Sequence, residues 1–221
     1  MMSNLFSIFD PSTNNYLSLN WCMMIIPLMI MIYPFWLIPS RLNMMWFNIY
    51  MKIFKEFYIL MKKMYYPNLI IFLPLMILFM KLNLLSMFPY IFTSSSHMSI
   101  NLSLSLSLWM TFMLYGWLIN TNKMFTHLLP MNTPAPLMIF MILIESISNF
   151  IRPWTLAIRL SANMLAGHLL LSLLGGTLEN MPQIIPLYLI QNLLVILEIA
   201  VSIIQSYVFA ILLLLYFNES N

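Results

Sequence analysis

Residues 133–175 read TPAPLMIFMILIESISNFIRPWTLAIRLSANMLAGHLLLSLLG, 43 residues whose only break past the opening prolines is Pro153. As one helix the run would extend about 64 Å, twice the roughly 30 Å of a bilayer's hydrocarbon core. It must therefore kink into two or lie steeply tilted. The following run, residues 183–217, poses the same problem at about 52 Å. Between them, Gly175-Gly176 and then Pro182 predict a helix stop and a turn. Two overlong helices in succession predict a long tilted hairpin.

Composition agrees. Of 221 residues 62% are apolar, with only nine Lys or Arg and six Asp or Glu. A soluble domain of this length would carry roughly 55 charges. The chain is long enough for four to six spans of about 20 residues. The expected fold is an all-α integral membrane protein forming a single membrane domain over 1–221, with about five membrane helices and one interfacial amphipathic helix. A net charge of +3, spread thinly, excludes nucleic-acid binding, which needs cations gathered on one face. Cys22 is the only cysteine, so no internal disulfide or cysteine-based zinc site is expected. No metal constellation and no Gly-rich phosphate loop is present, so no cofactor is expected.

Working outward, the first span is expected over 21–38. Residues 41–63 change character: Arg41, Lys52, Lys55, Lys62 and Lys63, five of the nine cations, interleave with Met, Trp, Phe and Tyr. That pattern predicts an amphipathic helix along the membrane surface, with its cations snorkelling. The positive-inside bias puts this helix on the inner side and the N-terminus opposite. The first twenty residues contain no Lys or Arg, so they match neither a secretory signal nor an Arg-rich transit peptide. A second span is expected over 68–88, where Lys81 lies near enough an end to snorkel. His97, in TSSSHMS, reads as a solvated loop residue. A third span is expected over 99–119. Its LSLSLSL alternation would suit a β-strand, but one such segment cannot close a barrel, so a helix is expected with its serine hydroxyls bonded back to the backbone. The hairpin arms are expected over 133–175 and 183–217.

The arms carry polar residues that are costly in hydrocarbon: Glu145, Arg152, Arg159, Asn163, His168, Glu198 and Gln205. Insertion scales charge a central Arg or Asp about 2.5 to 3.5 kcal/mol, so such groups face a partner, a protein interior or a water-filled cavity. Glu145, Arg152 and Arg159 recur every seven residues, a drift of about 20° per step, and so share one stripe. Asn163 joins it, whereas His168 lies on the opposite side of a straight helix. Glu198, Ser202 and Gln205 share a face of the second arm. Ala162, Ala166 and Gly167 permit close helix approach. A guanidinium keeps its proton in a protein, whereas carboxylates and imidazoles exchange theirs. One permanent cation amid titratable groups suggests proton traffic. On the residues alone three readings stay open: a proton path, a self-contained ion-coupled transporter, and a structural subunit whose polar stripes merely bond neighbouring helices.

TLAIRLSANMLAGHLL, from Thr155 to Leu170, resembles the signature of the subunit a family of F-type ATP synthases in its mitochondrially encoded form. The resemblance covers essentially the whole chain, through NLFSIFDPST, MFPYIFTSSSH, PLMIFMILIESIS and EIAVSIIQSYVFAIL, and is most similar to insect members. It implies a non-catalytic, multi-pass stator in the mitochondrial inner membrane, beside a rotor ring of small hairpin subunits with mid-membrane carboxylates. It also implies other stator and membrane-sector subunits as partners, and protons as the transported ion. Arg159 matches the family's essential arginine between two aqueous half-channels. Glu198 and His168 match the half-channel from the intermembrane space, Glu145 matches the matrix path, and Asn163 and Gln205 match polar neighbours of the arginine.

Overall fold

The computed structural model describes residues 5–13, 16–30, 36–61, 63–88, 90–128, 134–178 and 184–220. Among these the chain is helical and contains no β-sheet, as its composition requires. After 3-10 turns at Leu5–Phe9 and Leu19–Met24, the α-helices are α1 (Ile26–Met29), α2 (Arg41–Leu60), α3 (Leu69–Ser86), α4 (Met98–Ile119), α5 (Thr121–Leu128), α6 (Ala135–Leu178) and α7 (Ile184–Ser220). Four helical stretches among the described residues are long and apolar enough to cross a membrane: Tyr65–Ser86, Met98–Ile119, Leu137–Gly176 and Pro186–Ser220. Leu19–Met29 is apolar but shorter. The first span expected over 21–38 is thus described only in part, as a 3-10 turn running into a single α-turn with Pro27 near its start; residues 31–35 lie outside the described residues. Lys62, Pro89, Pro130, Thr133, Pro182 and Gln183 lie outside them as well.

Each helix has a local cause. Ser40 caps α2, its Oγ accepting from the Asn43 backbone N–H at 3.4 Å, and Arg41, Lys52 and Lys55 all stay exposed. The alternating stretch forms α4: Ser103, Ser105 and Ser107 return their hydroxyls to the carbonyls of Ile100, Leu102 and Leu104, which satisfies them inside an apolar helix. α6 runs unbroken through Pro153 and through the expected stop. Gly175 and Gly176 keep negative φ values, and with no left-handed residue there to end the helix, it continues to Leu178.

The core lies where α3 packs along α7, with Leu156 and Leu160 of α6 and Phe57 of α2 closing it. Phe57, Phe72, Phe79, Phe209, Leu213 and Leu214 are fully buried there, and Phe79 meets Phe209 at 4.5 Å between ring centroids. Two polar bonds tie the surface helix to this core: Tyr207 Oη donates to Glu56 Oε2 at 2.9 Å, and Asn218 Nδ2 to the Leu60 carbonyl at 2.9 Å. α6 packs on α4 and, as the other arm of an antiparallel pair, on α7.

Two polar residues sit differently from their sequence reading. His97 is not a solvated loop residue. Its ring packs against Trp21 at 5.0 Å and Phe92 at 5.2 Å, and its Nε2 is buried. The serines before it are buried too, because local bonds satisfy that turn: Thr93 Oγ1 donates to Ser96 Oγ at 2.9 Å, and Asn101 Nδ2 to the Ser95 carbonyl at 2.7 Å. Lys81 directs its ammonium to the Ile30 carbonyl at 3.2 Å, joining α3 to the N-terminal segment.

Ala210 is fully buried in the contact between α3 and α7. Ala210→Leu is expected to force these helices apart at a cost of about 1 to 3 kcal/mol. A thermal melt of the purified complex should show a lower midpoint, and an unchanged midpoint would contradict the packing.

Candidate functional site

Antiparallel pairing of α6 with α7 brings the polar stripes of the two arms together at two separate places. The first is a cavity of about 290 Å³ lined by Asn163, Gly167 and His168 of α6, Glu198, Ser202 and Gln205 of α7, and Asn83 of α3. Four of the six site residues expected from sequence meet here: Asn163, His168, Glu198 and Gln205. The face shared by Glu198, Ser202 and Gln205 is the wall of this cavity. His168 reaches the cavity although it lies half a turn from the Arg159 stripe.

Glu198 is only 8% exposed, and both of its carboxyl oxygens lack a hydrogen-bond partner among the described residues. The same holds for His168 Nε2 and Asn83 Oδ1. Buried polar atoms are normally satisfied by protein or by ordered water. A cavity holding several unsatisfied polar atoms, with well over the roughly 30 Å³ that one water occupies, is suited to hydration. Sequence reasoning missed Asn83. The available signal was an amide inside the largely apolar run LIIFLPLMILFMKLNLLS.

Gly167 determines how closely Glu198 can approach. A Cβ at position 167 would run into the Glu198 carboxyl group and lie 3.2 Å from its Cγ. Only glycine leaves the carboxyl that space.

The second cleft, about 220 Å³, lies among α4, α5, α6 and α7 and contains Glu145, Asn149, Arg152, Tyr216 and Glu219. Arg152 Nη2 is 3.5 Å from Glu145 Oε1, its Nη1 bonds Glu219, and its guanidinium lies 5.3 Å from the centre of the Tyr216 ring. Glu219 is thus an ion-pair partner that anchors the end of α7 to the middle of α6. Pro153 has no N–H to offer the Asn149 carbonyl, so the backbone as well as the side chains is polar at this cleft.

Arg159 belongs to neither cavity. It is exposed on α6 and makes no ion pair among the described residues. Thr155, Ile158, Ala162 and Ala166, at helical spacing around it, are exposed as well. The chain therefore presents a permanent cation on an open face of small and apolar side chains. Along α6 it stands between the clefts, about 21 Å from Glu145 and about 14 Å from His168 at 1.5 Å per residue.

A model of the family described as ATP synthase A chain matches residues 16–218. The chain belongs to that family. It is 52% identical over 223 residues to the ATP synthase subunit a of Locusta migratoria, covering 99% of each chain. It is 51% identical to that of Drosophila melanogaster, covering 100% of both, and 50% identical to that of Apis mellifera ligustica, covering 100% of this chain and 98% of the relative. Membership of the ATP synthase A chain family accords with an all-α membrane fold, and these relatives span the same length as this chain.

Gly167→Ala is expected to push the Glu198 side chain out of its pocket against α6, with an overpacking cost of about 1 to 3 kcal/mol. A map of the variant should show Glu198 in a different rotamer or α7 displaced. Glu198 unmoved beside the new methyl group would contradict the clearance argument.

Proposed function

We propose that this chain is the proton-translocating stator subunit of the ATP synthase membrane sector, a multi-pass protein of the mitochondrial inner membrane. It passes protons to and from the carboxylates of a rotor ring through two half-channels. The observation that carries this reading is Arg159: a permanently charged group on an apolar face, without an ion pair among the described residues, and with a separate polar cleft on either side of it along the same helix.

A guanidinium keeps its charge throughout, so Arg159 cannot itself relay a proton. Facing a ring carboxylate, it stabilises the ionised form and repels any proton moving directly between the clefts. His168 and Glu198 form the path from the intermembrane space, with Asn163 and Gln205 as polar neighbours of Arg159 beside it. All four line one cavity, and the unsatisfied atoms of His168 and Glu198 offer hydrogen-bonding sites to water. Glu145 serves the matrix path from the second cleft, where its ion pair with Arg152 holds it in place. A proton arriving by the first path neutralises a ring carboxylate and releases it from Arg159 to rotate into lipid. After nearly a full turn the carboxylate gives that proton to the second path and meets Arg159 again.

Each proton crossing about 200 mV releases roughly 4.6 kcal/mol. That energy appears as torque on the ring, so ATP forms elsewhere in the complex and this chain makes no bond itself. The other membrane-sector subunits hold it against the ring.

Arg159→Ala in an assembled complex is expected to abolish proton-driven ATP synthesis, since nothing then holds the ring carboxylate ionised or blocks leakage. Arg159→Lys is expected to be severely impaired, because a lysine can lose its proton where an arginine cannot. Synthesis at the normal rate by an assembled Arg159→Ala complex would refute the reading. Glu198→Gln is expected to slow proton flux in reconstituted vesicles while permitting assembly. Unchanged flux would remove Glu198 from the path.

A further inference from the structure

The N-terminal 3-10 turn, Leu5–Phe9, sits against α6. Phe9 is only 8% exposed, and its ring meets the His168 imidazole edge to face, with centroids 6.4 Å apart and planes at 87°. The segment that carries it is tied down. Asn20 Nδ2 donates to the Asp10 carbonyl at 3.3 Å, and the backbone N–H and hydroxyl of Thr13 both donate to the Leu17 carbonyl, at 3.1 and 2.9 Å. Ser12 N–H bonds Asp10 Oδ1 at 3.1 Å and holds that exposed carboxyl below its usual range. Phe9 is therefore delivered to α6 by a turn with its own hydrogen-bond framework.

The His168 imidazole makes no hydrogen bond to another described residue, and its Nε2 is buried. A histidine used in proton transfer or metal binding is ordinarily oriented by a bond to one ring nitrogen. Here packing does that work, and the ring that packs is Phe9. A T-shaped ring contact holds the imidazole at the cavity wall by packing and occupies neither nitrogen. One nitrogen can then take up a proton from water in the cavity while the other releases one, which inverts the tautomer, and a half-turn of the ring about Cβ–Cγ restores the starting form with no net change in charge.

We propose that Phe9 is a positioning residue of the proton path, holding the His168 imidazole at the wall of the first cavity with both nitrogens free. This rests on the reading of His168 as part of that path. It gives the N-terminal segment a role in transport, although the segment lies outside the two helices that carry the charged groups.

The test uses the assembled complex in vesicles, with proton-driven synthesis normalised to the amount of complex. Phe9→Ala is expected to lower the rate about tenfold, within the range that misplacing a reacting group costs. Phe9→Tyr, which keeps the aromatic ring, is expected to restore most of it. Placed on His168→Gln, Phe9→Ala is expected to cost nothing further, because residues acting through one group are not additive. An equal loss in both backgrounds, or an unchanged rate in Phe9→Ala, would overturn the proposal. If Phe9→Ala does not assemble, Phe9→Leu takes its place, and a wild-type rate for Phe9→Leu would overturn it equally. Wild-type synthesis by His168→Gln alone would instead bring down the reading of the first path.

Discussion

A guanidinium on an apolar face, with no ion pair among the described residues, is the constraint around which the rest of this structure is arranged. Arg159 cannot discharge, and at mid-membrane it costs on the order of 2.5 to 3.5 kcal/mol if it faces lipid. Among the described residues no carboxylate forms an ion pair with it. Glu145 and Glu219 are engaged by Arg152, and Glu198 is turned into a cavity. The small and apolar residues around Arg159 leave room for a close neighbour rather than for a solvation shell. Under the proposed function the compensating charge comes from a partner, which becomes a carrier by supplying it transiently.

The antiparallel hairpin turns this one group into a divider. Polar residues late in α6 meet polar residues early in α7, and the reverse holds at the other end. Two clefts result, about 34 Å apart between Glu145 and His168 along the helix. Each is built by a different device. The first depends on an absent side chain: Gly167 lets Glu198 approach α6 and remain without a hydrogen bond. The second depends on a clamp, in which Arg152 grips carboxylates from α6 and α7 together. The core between α3 and α7 keeps both clefts in register while the outer faces stay apolar enough for lipid.

Much of this was legible in the sequence, because membrane helices impose simple rules. Length and hydropathy gave the four long spans, the seven-residue recurrence placed Glu145 and Arg152 within reach of each other, and the face of Glu198, Ser202 and Gln205 proved to be one wall of a cavity. Other features were hidden by tertiary structure. Nothing local distinguishes Gly175-Gly176, inside a continuing helix, from a helix stop. His97 reads as solvated because one of its covering rings, Trp21, comes from a distant segment. Asn83 and Phe9 reach the first cavity's residues from α3 and from the N-terminal turn, and no periodicity within α6 or α7 points to either.

The most direct test is a map of the intact complex resolving the side chain opposite Arg159. The account predicts a carboxylate of a neighbouring ring subunit there, at ion-pair or single-water distance, with the two clefts opening to opposite sides of the membrane and not joined within the chain. A guanidinium facing lipid or another basic or neutral wall, or one continuous aqueous passage from Glu198 to Glu145, would contradict it.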